Sequence, residues 1–219
     1  MTNQKMKTQN VTYLILFFIL STVATAQQLY LETGKTSSSF NYKDSQGVAL
    51  DNLQATSHNF LAMGYRTKFL TNKLNTSLGA RYSGYGAIGS DETLEGILEW
   101  NVNYLEFDYS LDYRLFTINK IQLYLKGMAS IGFLLQGTQS VNNEIISLKN
   151  IEDFDSAMIS FKTGGGFLYP VSDELSFYAE YIFGKSLNQA DHNGNESLKI
   201  KSKIISFGVL IKLFKNVSS

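Results

Sequence analysis

Charged side chains recur at every second position inside otherwise apolar stretches of this chain, and they are its most chemically capable residues. Between Asn103 and Phe116 (NYLEFDYSLDYRLF) the even positions include Glu106, Asp108, Ser110, Asp112 and Arg114, and the odd positions are Leu105, Phe107, Tyr109, Leu111, Tyr113 and Leu115. Strand side chains alternate faces with period two, so as a strand this segment is charged on one face and apolar on the other. A helix would mix the two sets. The same reading along the chain puts the acids Glu32, Glu106, Asp108, Asp112 and Glu180 on charged faces, together with the bases Arg66, Lys68, Arg81, Arg114, Lys126, Lys162 and Lys212. If those faces enclose a dry interior the charges must pair, because an unpaired buried charge is strongly unfavourable. If they enclose water, the same charges would line an ion-selective path.

The elements that would position them are eight strands. Leu29 and Leu31 alternate with Tyr30, Glu32 and Gly34; Leu61, Met63, Tyr65, Thr67 and Phe69 oppose Ala62, Gly64, Arg66 and Lys68; Leu78, Ala80 and Tyr82 oppose Ser77, Gly79 and Arg81. The Asn103–Phe116 strand is the fourth. The fifth sets Leu123, Leu125, Ile131 and Phe133 against Tyr124, Lys126 and Ser130, and the sixth sets Ile159, Phe161 and Phe167 against Ser160, Lys162 and Gly164. The seventh sets Phe177, Tyr181 and Phe183 against Tyr178 and Glu180, and the eighth sets Ile205, Phe207, Val209 and Ile211 against Ser206, Gly208 and Lys212. Connections alternate in length: short turns near 71–73, 118–120 and 171–174, long polar segments near 43–57, 86–99, 137–155 and 187–201. Apolar faces turned outward, charged faces turned inward and this alternation together predict an all-β, eight-stranded antiparallel up-and-down transmembrane barrel with four long outer loops. Eight strands leave an interior just wide enough for side chains, which predicts a closed lumen filled by an ion-pair network rather than a pore. A turn at Ile118–Lys120 would set Asp112 opposite Lys126, and the closing seam could pair Glu32 with Lys212.

The first 26 residues read as a cleaved signal peptide, leaving 27–219 as one barrel domain. Lys5 and Lys7 precede the apolar core YLILFFIL, and Ala24-Thr25-Ala26 offers a small-x-small cleavage site. Without the leader the chain would carry 17 bases against 19 acids, a balance that gives no electrostatic footprint for nucleic acid. There are 13 Tyr, 15 Phe and 17 Gly against a single Pro, a mix that favours strands and tight turns. With no cysteine, stability must come from burial, sheet hydrogen bonds and the membrane.

Other chemistry is thin. A Ser-His-acid set at the outer rim would have to use His58 or His192, the latter in DHNGNES beside Asp191 and Ser197. Two histidines in polar rim positions are more often solvated, and no catalytic residue is assigned. Asp91, Glu92, Glu95 and Glu99 could hold a divalent cation against lipopolysaccharide phosphates, but they lack the spacing of a calcium loop. Ser90 could instead cap one helical turn there, with Glu95 and Glu99 solvated. Gly164-Gly165-Gly166 is followed by no Lys-Ser/Thr, so it is not a phosphate loop; it predicts room for a large neighbouring side chain or a bend.

NYLEFDYSLDYRLF, LYLKGMASIGFLLQG (123–137), FKTGGGFLYPVSDELSFYAEYIFGKS (161–186) and IISFGVLIKLF (204–214) resemble the small outer-membrane β-barrel domain common in Bacteroidetes, sometimes called porin-family or OmpA-like. The resemblance covers essentially the whole mature chain and is one of rhythm. It implies export to the outer membrane of a Gram-negative cell envelope, insertion by the barrel-assembly machinery, and contact with outer-membrane lipid and lipopolysaccharide. The expectation is a monomeric, non-enzymatic barrel without cofactor or metal, structural or surface-interacting, with no further domain after Phe214. The alternatives are a narrow porin for small solutes or ions and a lipid-modifying outer-membrane enzyme.

Overall fold

The computed structural model describes residues 28–43, 47–50, 53–91, 96–141, 144–149, 157–187, 189–190 and 197–213. The expected signal peptide and cleavage site lie outside them, as do Asp191 and His192. Among the described residues ten strands form: β1 (Gln28–Lys43), β2 (Gln54–Phe69), β3 (Thr71–Asp91), β4 (Gly96–Ile118), β5 (Ile121–Val141), β6 (Glu144–Ser147), β7 (Met158–Pro170), β8 (Leu175–Ser186), β9 (Gln189–Ala190) and β10 (Ser197–Lys212). Eight of them are walls, paired in the order β1-β2-β3-β4-β5-β7-β8-β10, and β10 pairs back with β1 to close an antiparallel barrel. Closure leaves no wall strand with a long free edge. The two short strands extend the rim, β6 on β5 and β9 on β10.

The alternation read from the sequence is the alternation of burial. On β4, Glu106, Asp108, Ser110 and Asp112 are buried while Phe107, Tyr109, Leu111, Tyr113 and Leu115 are exposed on the outside. Leu61, Met63, Phe133, Phe161, Phe177, Phe183, Ile205 and Phe207 continue that exposed apolar belt around the barrel. An apolar exterior over a charged interior inverts a water-soluble barrel and matches a wall that faces lipid.

The three tight connections fall at one end. Leu70, with φ 58°, links β2 to β3, and Asn119, with φ 54°, helps close the two-residue turn between Ile118 and Ile121. A left-handed backbone is common enough for Asn and unusual for Leu. At 171–174 the Ser172 hydroxyl accepts hydrogen bonds from the Glu174 and Leu175 amides, at 3.2 and 3.0 Å.

At the opposite end the structure corrects the expected loops. Much of 86–99 and part of 137–155 is strand: β3 runs to Asp91, β4 starts at Gly96, and β5 reaches Val141. The helical turn considered after Ser90 is replaced at Ser90–Asp91 and Gly96–Glu99 by paired strand, with Ser90 opposite Ile97. Their outward positions mix Glu99 and Asn101 with Ile88 and Ile97, and inside the barrel they help bury Phe40, Tyr85, Ala87, Leu98, Trp100, Val102, Tyr104, Leu134, Leu198 and Ile200. That apolar core gives the ladder a reason to continue beyond the lipid-facing belt.

Candidate functional site: the charged lumen

The interior has two storeys. Nearer the tight turns the charges are interleaved with a cluster that includes Tyr30, Tyr124, Leu168, Tyr178 and Leu210; towards the long ends the interior is aromatic and aliphatic. Nine of the twelve expected lumen charges are there and buried: Glu32, Arg66, Arg81, Glu106, Asp108, Asp112, Lys126, Lys162 and Glu180.

They form two linked groups. In the first, Arg81 of β3 donates from Nε to Asp108 Oδ2 at 2.8 Å and from Nη2 to Glu32 Oε1 at 3.1 Å. Lys162 of β7 ion-pairs with Glu106, donates to Ser130 Oγ at 2.9 Å and lies 3.7 Å from Asp108 Oδ1. The Tyr85 hydroxyl donates to Glu106, whose side chain is completely buried. In the second group Arg66 Nε meets Asp112 Oδ2 at 3.0 Å, and Lys126 Nζ meets Glu180 Oε1 at 2.7 Å and Asp112 Oδ1 at 3.9 Å. Asp112 and Lys126 face each other across β4 and β5, as the sequence predicted.

Tyrosines join these groups, a role that strand parity alone did not assign to them. The Tyr124 hydroxyl donates to Glu180 Oε1 at 2.7 Å, and the Tyr178 hydroxyl donates to Glu32 Oε2 at 3.0 Å. Both rings do so by lying across a glycine. Tyr124, Gly166 and Glu180 are in register on β5, β7 and β8; Tyr178, Gly208 and Glu32 are in register on β8, β10 and β1. A Cβ on Gly208 would clash with Tyr178 Cζ, and one on Gly166 would crowd the Tyr124 hydroxyl and the Glu180 side chain. Tyr30 lies over Gly64 and Gly79 in the same manner. The glycine run at 164–166 therefore makes room for large neighbours, as expected. Only register across three strands reveals such rows.

Three expected members are elsewhere. Lys68 and Lys212 are exposed, and Arg114 is half-exposed and donates to the Asn72 carbonyl at 3.0 Å. All three have inward parity but stand at the strand ends beside the tight turns, where the barrel mouth meets water. The seam sets Lys212 opposite Gln28 and Glu32 opposite Gly208, so the expected Glu32–Lys212 pair is replaced by Glu32–Arg81. The long side chain of Arg81 crosses the interior, while Lys212 is four residues too far down its strand.

The remaining room is small. Tyr30, Glu32, Arg66, Arg81, Lys126 and Glu180 are among the residues around a cavity that leaves about 20 Å³ for water, enough for one or two molecules. Above the charges, Trp100 packs at 6.3 Å from Phe40 and 6.1 Å from Tyr42, and Tyr85 packs edge-on to Tyr104 at 6.2 Å. Tyr104 falls on the Asn103–Phe116 strand, but Phe40, Tyr42, Tyr85 and Trp100 lie between the strands and the long polar segments read from the sequence, so the strand pattern did not place them inside.

His58 is packed within the wall. β2 and β3 lose register between Ala55 and Phe60, and there His58 lies against Gly84 and Gly86, where a Cβ would meet its side chain. Gly86 meanwhile bonds in both directions to the Ser38 hydroxyl of β1, donating its amide at 2.8 Å and accepting at 3.0 Å. Among the described residues no group of three or more acids, histidines or cysteines could hold a metal ion, and Glu99 is exposed on strand β4.

A closed, eight-walled antiparallel sheet of this kind has solved counterparts. The outer-membrane protein OprG from Pseudomonas aeruginosa aligns with a TM-score of 0.50 at 14% identity over 86% of this chain and 97% of that one. The chain has the fold of a small outer-membrane β-barrel. Neisserial surface protein A gives 0.48 at 12% identity over 84% and 97% of the two chains, and a major outer-membrane protein from Thermus thermophilus gives 0.47 at 12% over 84% and 99%. No family model and no curated protein sequence matches the chain. At these identities the likeness concerns the fold of the barrel and leaves its task to the residues themselves.

Proposed function

We propose that this barrel is a non-enzymatic, monomeric integral protein of the outer membrane, with a lumen closed to solutes and a structural or surface-interaction role. The observation that carries this reading is the two-storey interior: a paired charge network under a layer of buried aromatic and aliphatic side chains. Conduction would need water through both layers, and the upper one offers few polar groups to hold it. An outer-membrane location is supported by the fold and by the exposed apolar belt. Insertion by the barrel-assembly machinery follows from that location, and the Bacteroidetes type rests on the sequence rhythm alone. The non-enzymatic reading is supported by His58, which is packed against glycines within the wall.

Single-channel recording of the refolded mature chain in a planar bilayer tests it. Silence under applied voltage is expected. Steady, ion-selective steps from the wild type would overturn the closed lumen and turn the inner charges into a transport path.

A further inference from the structure

Three neighbouring wall strands end their apolar belt, on the side away from the tight turns, with lysine. On β8 the outward series Phe177, Ala179, Tyr181, Phe183 is followed by Lys185; on β10 the series Ile211, Val209, Phe207, Ile205 is followed by Lys203, Lys201 and Lys199; on β1 Leu29, Leu31 and Thr33 are followed by Lys35. Lys35, Lys185, Lys201 and Lys203 are exposed, and Lys199 is half-buried.

Register gathers the five into one patch. Lys201 stands directly opposite Lys185, and Lys203 is diagonal to both Lys185 and Lys35. Like charges directly opposite on a sheet are destabilising. Acids do not relieve them: among the described residues none of these lysines is in an ion pair, and the β1 residues facing Lys203, Lys201 and Lys199 are Ser37, Ser39 and Asn41. Lysines at alternate positions about 7 Å apart along the β10 backbone, flanked by hydroxyls and an amide, make a field of donors with no acid ion-paired to them among the described residues.

We infer that this patch, Lys35, Lys185, Lys199, Lys201 and Lys203, binds the phosphates of a lipopolysaccharide molecule whose acyl chains lie on the apolar belt of β8, β10 and β1. Two features select this ligand. The lysines begin at the strand position where apolar residues stop, which is the depth of a lipid headgroup, and their side faces outward, where a lipid already touches the wall. Acyl chains on Phe183, Ile205 and Phe207 and phosphates on the lysines would be held by one molecule. The inference rests on the outer-membrane reading above and adds to it a specific lipid and its site.

The test uses the mature chain folded in neutral detergent, with folding checked by its heat-dependent migration on gels. Binding is measured by native mass spectrometry with diphosphorylated lipid A, the same lipid dephosphorylated, and phosphatidylglycerol. The wild type should prefer the diphosphorylated form. The K185Q/K201Q/K203Q variant should bind it roughly a hundredfold more weakly, since each lysine near an anionic lipid surface contributes about a fivefold factor. The K68Q/K120Q/K212Q variant, which removes as much charge at the opposite mouth, should bind like the wild type. Equal binding by the wild type and K185Q/K201Q/K203Q, or no preference for the phosphates, would overturn the site, and equal capture of phosphatidylglycerol would overturn lipopolysaccharide as its ligand. Channel activity in the bilayer recording would sink the closed lumen and leave this binding result standing.

Discussion

Tyr178 reaches across β10 to hydrogen-bond Glu32 at 3.0 Å, over the one residue, Gly208, that stands in register between them. The contact spans the seam where the first and last wall strands close the barrel, and Tyr124–Gly166–Glu180 is a second row of the same kind. Each tyrosine covers a glycine backbone and delivers a hydroxyl to a buried carboxylate, so packing, sheet closure and charge satisfaction depend on one another.

Gly208→Ala should therefore cost about 1–3 kcal/mol through overpacking alone. Tyr178→Phe should cost about 1.5–3 kcal/mol by leaving a Glu32 oxygen short of a hydrogen bond to a charged group. Urea unfolding of the barrel in phosphatidylcholine vesicles measures both. If Ala at 208 were as stable as Gly, the ring would not lie where the structure puts it.

Lys162 is the cation for Glu106, a fully buried carboxylate. Removing one partner strands the other, so Lys162→Met should destabilise by about 3–5 kcal/mol. Adding Glu106→Gln should recover a large part of that loss. A double variant no more stable than Lys162→Met would mean that the two groups do not form a pair.

Lys68, Arg114 and Lys212 share the parity of the lumen charges but sit at the mouth. Replacing each with Gln should change stability by less than about 0.5 kcal/mol, the range of ordinary surface substitutions. A loss from Lys212→Gln as large as that from Lys162→Met would restore it to the network.

Trp100 anchors the outer storey between Phe40 and Tyr42. Trp100→Ala should cost about 3–5 kcal/mol, as deletion of a large buried aromatic does. The charge network beneath it stays paired, so the variant should remain silent in the planar bilayer. Steady conductance from Trp100→Ala alone would place the seal in the aromatic layer and leave the ion pairs as the lining of a path.

Much of the barrel was legible in the chain. A period of two is a local property, so NYLEFDYSLDYRLF by itself fixes which residues face lipid and which face inward, and the turns at 118–120 and 171–174 fix which strands are neighbours. A three-residue turn at Ile118–Lys120 would by itself set Asp112 opposite Lys126; the turn has two residues, and a register shift between Arg114 and Phe116 restores the same pairing. The signal peptide and His192 were also read from sequence, and they lie outside the described residues.

What the sequence could not supply is height along the wall and contact across it. Parity makes Lys68, Arg114 and Lys212 look identical to Arg66, Asp112 and Lys126, yet two residues further along a strand moves a side chain some 6–7 Å, from the packed interior to the mouth. The partner of Glu32 depends on the stagger with which β1 meets β10, which no local pattern encodes, and on the reach of Arg81 across the lumen. The outer aromatic layer was hidden for a related reason: 86–99 reads as a loop, and only the neighbouring strands show what the inward side chains at and beside its ends bury. Composition and alternation determined the class of fold and the identity of the faces. The closed sheet, which brings residues more than a hundred positions apart into one register, decided the pairs, the buried aromatic layer and the gathering of the five lysines.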